Sequence, residues 1–390
     1  MSRSSFSLAT INNNVRTVSG RCADKRLLHI FPSFGIGGVP LRMARALNHF
    51  GGRFSHVIIA LDNNFDAAAQ FESCVDATLL PPPYRGGGMV RAALADARML
   101  RRLRPDLLIT YNWGAIEWAI ANRLWRIAPH VHLEAGFGKE EADRQIRRRV
   151  LCRRWALARC ARVVVPSRGL EMLANDTWKL PTEIVTYLPN GVDIARFCAP
   201  ACDTVPGFIR RPGELVVGTV APLRPEKNIG RLLRVFAMMS GAISARLIVA
   251  GDGIERSALE TLAAELGISD RVVFTGWATP ESVLGTFDVF ALSSDTEQMP
   301  NALLEAMAAN RAVASVDVGD IKGMVCKENR KFIVPRDDYS AFAGAIEHLL
   351  NDHAMRETLG RKNRDRVVAE FSQERMFAAY SEIFAAARMH

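Results

Sequence analysis

Short apolar runs alternate with longer amphipathic stretches along most of this chain. Leu27–Phe31, His56–Leu61, Asp106–Thr110, the segment from Val131 onward and Val163–Ser167 read as buried strands, since their apolar residues are nearly continuous. LRMARALNHF and the stretch 89–104 between them carry helical spacing. The alternation resumes at Leu215–Val220 and continues through Arg246–Ala250, Val272–Thr275, Asp288–Leu292, Ala312–Val316 and Phe332–Val334. Helical patterns at IGRLLRVFAMM, ERSALETLAAEL, near 280 and at 339–350 fill the gaps. Strand–helix alternation predicts parallel sheets with helices on both faces, and the length suits two such domains. The expected fold class is α/β, with two Rossmann-like domains. Their expected limits are a flexible tail over 1–24, a first domain over 25–198, a Pro-bearing linker over 199–213, a second domain over 214–372 and a closing helix over 373–390.

Composition narrows the picture. A formal charge of +9 favours an anionic partner: a phosphorylated small molecule, a lipid surface or nucleic acid. Seven scattered cysteines without paired C-x2-C spacing argue against a disulfide scaffold or a zinc site, and for a reducing cytoplasm. The N-terminus lacks the basic-then-apolar order of a signal peptide, and no run of about 18 apolar residues exists. The segment Arg144–Arg162 holds eight arginines and no acid. Read as a helix, it groups Arg144, Arg147, Arg148, Arg154, Arg159 and Arg162 with Leu151 and Trp155, opposite an apolar stripe of Ile146, Val150, Leu157 and Ala161. A basic face with an embedded Trp suits an anionic membrane surface, although a solvated face has the same composition. Nucleic acid is the weaker reading, because interleaved aromatics and nucleic-acid motifs are lacking.

Ligands of open α/β sheets gather at the carboxyl ends of the strands, so the residues there are the candidates. The stretch Asp288–Ala309 reads strand, polar loop, helix, with Pro300 at the helix start. Glu297 in the loop and Glu305 in the helix flank a helix N-terminus, whose free N–H groups and positive end suit a phosphate. Two carboxylates there would accept hydrogen bonds from sugar hydroxyls, though a solvated pair or capping aid is the plainer alternative. Gly37 and Gly38 open a helix after the first strand, either as a tight turn or as a close approach to a ligand. Asn112 follows another strand, and Arg224 and Lys227 follow a third, where cations would steady a charged leaving group. His132 and Glu134 share one side of their strand and Ala135 the other, and a lone strand histidine is more often structural. No D-x-D pair is present to clamp a metal, so the metal set is expected to be none.

Glu297 and Glu305 form E-x7-E followed by A-M-A. This closely resembles the signature of retaining glycosyltransferases of the GT-B type, glycosyltransferase family 4. The double glycine, the strand Val131–Gly138, a serine after Val163–Ser167, and the segment YLPNGVDIARF match the same family in order, across most of the chain. The resemblance implies two Rossmann-like domains whose parallel sheets face an interdomain cleft, with the last helix crossing back onto the first domain. It implies a hexosyltransferase that takes a UDP- or GDP-sugar as substrate, with no cofactor, and passes the sugar to a glycan or lipid-linked acceptor held by the first domain. The setting would be bacterial polysaccharide or cell-envelope glycan synthesis, in the cytoplasm or on the inner face of the cytoplasmic membrane. It assigns Glu297 to the sugar, Lys227 and Arg224 to the diphosphate, Glu305 to the ribose, and the backbone of Gln298, Met299, Pro300 and Asn301 to sugar and phosphate. The resemblance would also place Gly37 and Gly38 on the cleft floor, and His132, Glu134, Gly136 and Asn112 on the acceptor side. Three positions depart from the family: Ala135 stands for a histidine, Pro222 for an arginine and Asn310 for a glycine. Asn tolerates the left-handed cap, so that last change should leave the fold intact. The departures keep open a non-catalytic nucleotide-sugar-binding protein, and a sugar-nucleotide epimerase on the same scaffold is the other alternative.

Overall fold

The computed structural model describes residues 25–83, 88–137, 141, 145–197, 205, 207–239, 241 and 243–389. The expected tail 1–24, residues 84–87 of a Pro/Gly loop, Gly138, Arg144, and 199–204 and 206 of the expected linker lie outside the described residues.

Strands β1 (Lys25–Phe31), β2 (Phe54–Ala60), β3 (Ala77–Leu80), β4 (Leu107–Tyr111), β5 (His130–Leu133), β6 (Arg162–Val165) and β7 (Val185–Tyr187) form the first sheet. It is parallel, in the order β3-β2-β1-β4-β5-β6-β7. Helices α1 (Gly38–Phe50), α2 (Met89–Leu103), α3 (Ile116–Trp125), α4 (Arg147–Leu157) and α5 (Arg168–Met172) connect its strands. The second sheet holds β8 (Leu215–Val220), β9 (Ala245–Ala250), β10 (Val272–Gly276), β11 (Val289–Leu292), β12 (Ala312–Val316) and β13 (Ile333–Val334). It too is parallel, in the order β10-β9-β8-β11-β12-β13. Its helices are α6 (Ile229–Met238), α7 (Arg256–Glu265), α8 (Pro280–Leu284), α9 (Asn301–Ala308), α10 (Ile321–Met324), α11 (Tyr339–Asn351) and α12 (His353–Glu370). A last helix, α13 (Gln373–Ala386), closes the chain.

Every residue of β4 and of β11 is buried, because helices cover both faces of each sheet. On one face of the second sheet Val217 packs with Leu232 and Phe236; on the other, Phe287 and Phe290 pack with Leu303 and Met307. In the first sheet the strand order reverses between β1 and β4, and in the second between β8 and β11. These are the switch points at which a crevice opens beyond the strand ends. The four loops after β1, β4, β8 and β11 are therefore the ones positioned to build a site.

α13 returns to the first domain. Met376, Phe377, Tyr380 and Phe384 join Leu27, Phe31 and Met43 in one core, and Lys25 Nζ donates to the carbonyls of Phe384 and Ala385 at 3.2 and 2.6 Å. Where the chain leaves the first domain, Val192 bridges to Ser372. Asn190-Gly191, a turn signal by composition, makes no turn here. Gly191 is instead needed for close approach: a Cβ would lie 2.6 Å from Gln373 Cα and Ser372 O. Asn310 takes the expected left-handed conformation, φ 59°, just after α9.

The basic segment differs from its reading as one long helix. α4 ends at Leu157, and Arg162 already opens β6, because the Ala161 N–H is drawn to the His130 carbonyl. Nor are all its arginines free of acids. Arg153 is 1% exposed, paired with both oxygens of Glu141 at 3.1 and 2.9 Å and enclosed by Trp113, Phe137 and Trp178. Arg149 contacts the same Glu141. What remains outward is Arg147, Arg148, Arg154, Arg159 and Arg162, with Leu151 at 64% and Trp155 at 43% exposure.

Candidate functional site: the interdomain cleft

A cleft of about 440 Å³ opens between the carboxyl ends of the two sheets. Gly38, Arg42, Ala135 and Gly136 line it from the first domain, and Arg224, Lys227 and Thr296–Ala302 from the second. α9 presents its N-terminus here. Pro300 (φ −69°, ψ 124°) stands just before the first helical residue, so the free N–H groups of the first turn begin at Asn301. The helix thus starts one residue later than the expected Pro300, within ordinary boundary scatter.

Lys227 Nζ lies 2.5 Å from Glu297 Oε1, and Ser294 Oγ donates to the same oxygen at 2.8 Å. Two loops place this pair. Asn228, at φ 43°, caps α6 and donates to Asp295 Oδ1, and Arg231 of α6 donates to Ser293 O at 2.6 Å and Asp295 Oδ1 at 2.7 Å. Ser293 Oγ returns a bond to Lys227 O. Behind the loop, Gly319 (φ 55°) leaves no room for a side chain, since a Cβ would be 2.2 Å from Glu297 O. Arg224 is exposed at the cleft wall, and Pro222 lines it too without offering a charge. Arg42, Arg224 and Lys227 thus face Glu226 and Glu297 around the helix N-terminus, an arrangement suited to a ligand with both phosphate and hydroxyl groups.

Glu305 is brought elsewhere. It is half-buried and lines a neighbouring cavity of about 170 Å³ with Arg45, Arg196 and Gln373. Gly38, Arg42 and Asn301 line both spaces, so the two adjoin. Burial pushes the Glu305 carboxyl up to about 7, against the pull of Arg196 and Arg45. Arg196 is itself held at 2.7 Å by Glu281.

Of the expected acceptor-side residues, only Gly136 reaches the cleft lining. His132 and Glu134 lie fully buried beneath it. Thr110 Oγ1 sits 2.7 Å from His130 Nε2 and 2.8 Å from His132 Nδ1, while Glu134 Oε2 is 3.7 Å from His132 Nε2 and 3.6 Å from Arg153 Nε. Burial, with His132 alongside, drops His130 to about 3, so its ring is neutral. Asn112 is used internally, accepting from the Ala135 N–H at 2.8 Å. Gly38 lines the cleft, with Asn301 Nδ2 3.5 Å from where its Cβ would be, whereas Gly37 only precedes α1. Neither glycine has a positive φ, and a Cβ at Gly37 or Gly38 would meet only ordinary contacts at 3.7 and 3.5 Å, so backbone conformation and crowding do not require the pair.

Sequence reasoning missed several residues at the site. Asn190 donates from Nδ2 to Met299 O at 3.0 Å and Asn301 Oδ1 at 3.2 Å, and its Oδ1 accepts from Arg42. Ser167 Oγ donates to Gln298 Oε1 at 3.0 Å. Asp320 accepts from the N–H groups of Arg168 and Gly169, and its own N–H donates to Gln298 O. Both Asn190 and Ser167 lay inside quoted motifs, but nothing local shows that a motif residue reaches across to the other domain.

Comparison with known proteins agrees with this architecture. Residues 208–366 match the family described as glycosyl transferases group 1, and residues 35–196 match glycosyltransferase family 4. The lipopolysaccharide core biosynthesis glycosyltransferase LpsE of Rhizobium meliloti is 31% identical over 44% of this chain and 49% of its own length, so the match spans about half of that relative. The 2-deoxystreptamine N-acetyl-D-glucosaminyltransferase of Streptomyces fradiae is 28% identical over 70% of this chain and 71% of its own. Among solved structures, Anabaena HepE in complex with UDP and glucose superposes with a TM-score of 0.77 at 17% identity, covering 93% of this chain and all of that one. Sucrose-phosphate synthase of Thermosynechococcus elongatus gives 0.76 at 20% identity, with 93% of this chain covered. The matched families, the two parallel sheets and the cleft between them lead to one conclusion: this chain is a GT-B protein and belongs to the group 1, family 4 glycosyltransferases.

Proposed function

We propose that the chain moves a sugar from a nucleotide-diphosphate donor to a glycan or lipid-linked acceptor, with retention and without a metal. The observation that carries this is the Lys227–Glu297 pair at the N-terminus of α9, in the cleft between the two switch points. As the sugar bond breaks, negative charge grows on the diphosphate. Lys227, Arg224 and the free N–H groups of α9 supply opposing charge at that place, the role a clamped metal fills elsewhere. Glu297, released from Lys227 as the phosphate engages the lysine, accepts hydrogen bonds from the sugar hydroxyls. The backbone of Gln298–Asn301 lies along sugar and phosphate, and the nucleoside end runs past Asn301 to Glu305, which accepts from the ribose. The acceptor enters from the Gly136 side, and the leaving diphosphate helps to take its proton on the same face of the sugar.

HepE binds UDP and glucose, and a Mycobacterium tuberculosis relative, 30% identical over 48% of this chain, is a GDP-mannose-dependent mannosyltransferase. Both support a UDP- or GDP-sugar. The lipopolysaccharide-core relatives support bacterial envelope glycan synthesis. No helix among the described residues is long and apolar enough to cross a membrane. The outward arginines of α4 around Leu151 and Trp155 support peripheral contact with an anionic inner membrane face. The test is thermal stabilisation by UDP, GDP and ADP, repeated with Lys227→Ala and Glu305→Ala. A shift with one nucleotide, lost in both variants, is expected. No shift with any nucleotide would overturn the reading, and a product that keeps the sugar on its nucleotide would favour the epimerase.

A further inference from the structure

The loop Glu297–Asn301 belongs to the second domain by chain order, yet successive residues of it are bonded from outside that domain. Gln298 accepts from Ser167 Oγ, at the N-cap of α5, at 3.0 Å. Its side chain also packs against Gly136, where a Cβ would meet Gln298 Cγ at 3.1 Å. Met299 is held twice by Asn190: its carbonyl accepts from Nδ2 at 3.0 Å, and its Sδ from the backbone N–H at 3.1 Å. Asn301 Oδ1 accepts from the same Nδ2. Asn190 is 6% exposed, and each polar atom of its amide is used, since Oδ1 accepts from Arg42 of α1.

Such an arrangement needs an amide. Nδ2 must donate to two acceptors while Oδ1 faces a guanidinium. Aspartate would keep the contact with Arg42 but set a second oxygen against Met299 O and Asn301 Oδ1, leaving buried acceptors opposed. A structural role in the hinge alone would not require bonds to this loop. Gly191, next in the chain, already serves the hinge by its close approach to Gln373.

We infer that Asn190 and Ser167 are positioning residues, which hold the loop 297–301 in its working form from the first domain through their bonds to Gln298, Met299 and Asn301. This rests on the proposed reading of the loop as the donor's sugar contact. Without these supports the loop would still meet a nucleotide but would not hold the sugar in register for transfer, so chemistry is lost ahead of binding.

The test uses the full chain with Asn190→Asp, Ser167→Ala and, as conservative rescue, Ser167→Thr. Amide hydrogen exchange is followed in 297–304, with β8 and β11 as internal controls for folding. Exchange in 297–304 at least tenfold faster in Asn190→Asp and Ser167→Ala, with β8 and β11 unchanged and Ser167→Thr near wild type, is expected. Unchanged exchange in 297–304 in both variants overturns the inference. Binding of UDP or GDP, whichever stabilises the wild type, should stay within threefold, while turnover of UDP-glucose or GDP-mannose falls at least tenfold through kcat. Turnover falling only in step with nucleotide affinity also overturns it. If neither nucleotide binds the wild type, the proposed function fails, and the exchange measurement still decides whether the loop is held from the first domain.

Discussion

Replacing Lys227 separates a structural ion pair from a chemical one, because the two roles predict different sizes of effect. Lys227 Nζ and Glu297 Oε1 are 2.5 Å apart, with side chains 21% and 11% exposed. Surface pairs contribute up to about 1 kcal/mol, and breaking a buried pair costs about 3–5 kcal/mol. This pair lies between those limits, and Ser294 Oγ still bonds Glu297 once the lysine is gone. Lys227→Ala should therefore destabilise the unliganded protein by about 1–2 kcal/mol. With a donor bound, the same lysine opposes the charge that grows on the leaving diphosphate. Loss of one such group costs about 2.7–4 kcal/mol at the barrier, or 10²–10³ in kcat. The assay is release of nucleotide from UDP-glucose or GDP-mannose, alongside urea unfolding of the same preparations. Wild type at a hundredfold excess of nucleotide over Kd should gain about 2.7 kcal/mol, and Lys227→Ala much less. Glu297→Gln supplies the internal control: it frees the lysine, so nucleotide binding should hold or tighten while turnover falls. A Lys227→Ala protein with kcat within threefold of wild type and an undiminished nucleotide-induced shift would refute the reasoning.

Glu305 makes stability depend on pH. Its folded carboxyl is raised to about 7, so the folded state binds the extra proton and stability from this group falls as pH rises from about 4.5 through 7. Glu305→Gln should flatten the slope of Tm between pH 5.5 and 7.5; an unchanged slope rules the group out. Gly319→Ala puts a Cβ 2.2 Å from Glu297 O at a φ of 55°, and should cost at least ~2 kcal/mol in urea and abolish the nucleotide shift. An unaltered urea midpoint would show that the loop yields. Removing two outward charges of α4 with Arg148→Gln and Arg154→Gln should weaken partition onto phosphatidylglycerol vesicles roughly thirtyfold, at about 1 kcal/mol per charge. Equal partition of wild type and variant at low salt would discard the membrane face.

The alternation of apolar runs with amphipathic stretches was enough to read the α/β class and most strands, because central parallel strands are apolar on both faces. Ala77–Leu80 and Val185–Tyr187 escaped notice for the opposite reason: they are edge strands, only partly buried, and carry no continuous apolar signal. Local chemistry also marked the loop–helix unit at Glu297 and the cation at Lys227, since both depend on residues near in sequence to a strand end. Other features depended on what lies across the fold. Periodicity placed Arg153 in a basic segment without acids, but only packing shows that Glu141 and three aromatic rings enclose it. Strand alternation put His132 and Glu134 on one side, and only the helix layer shows that this side is sealed from the cleft. Glu305 follows Glu297 at a fixed spacing, yet it faces a second cavity, because Arg45 and Arg196 come to it from α1 and the interdomain segment. Sequence thus determined the elements and the chemistry that each strand end carries, through interactions within a few residues. Tertiary structure decided which of those groups share a space, because burial and charge pairing depend on neighbours brought in from other elements, 12 residues away for Glu141 at Arg153 and 70 for Glu297 at Lys227.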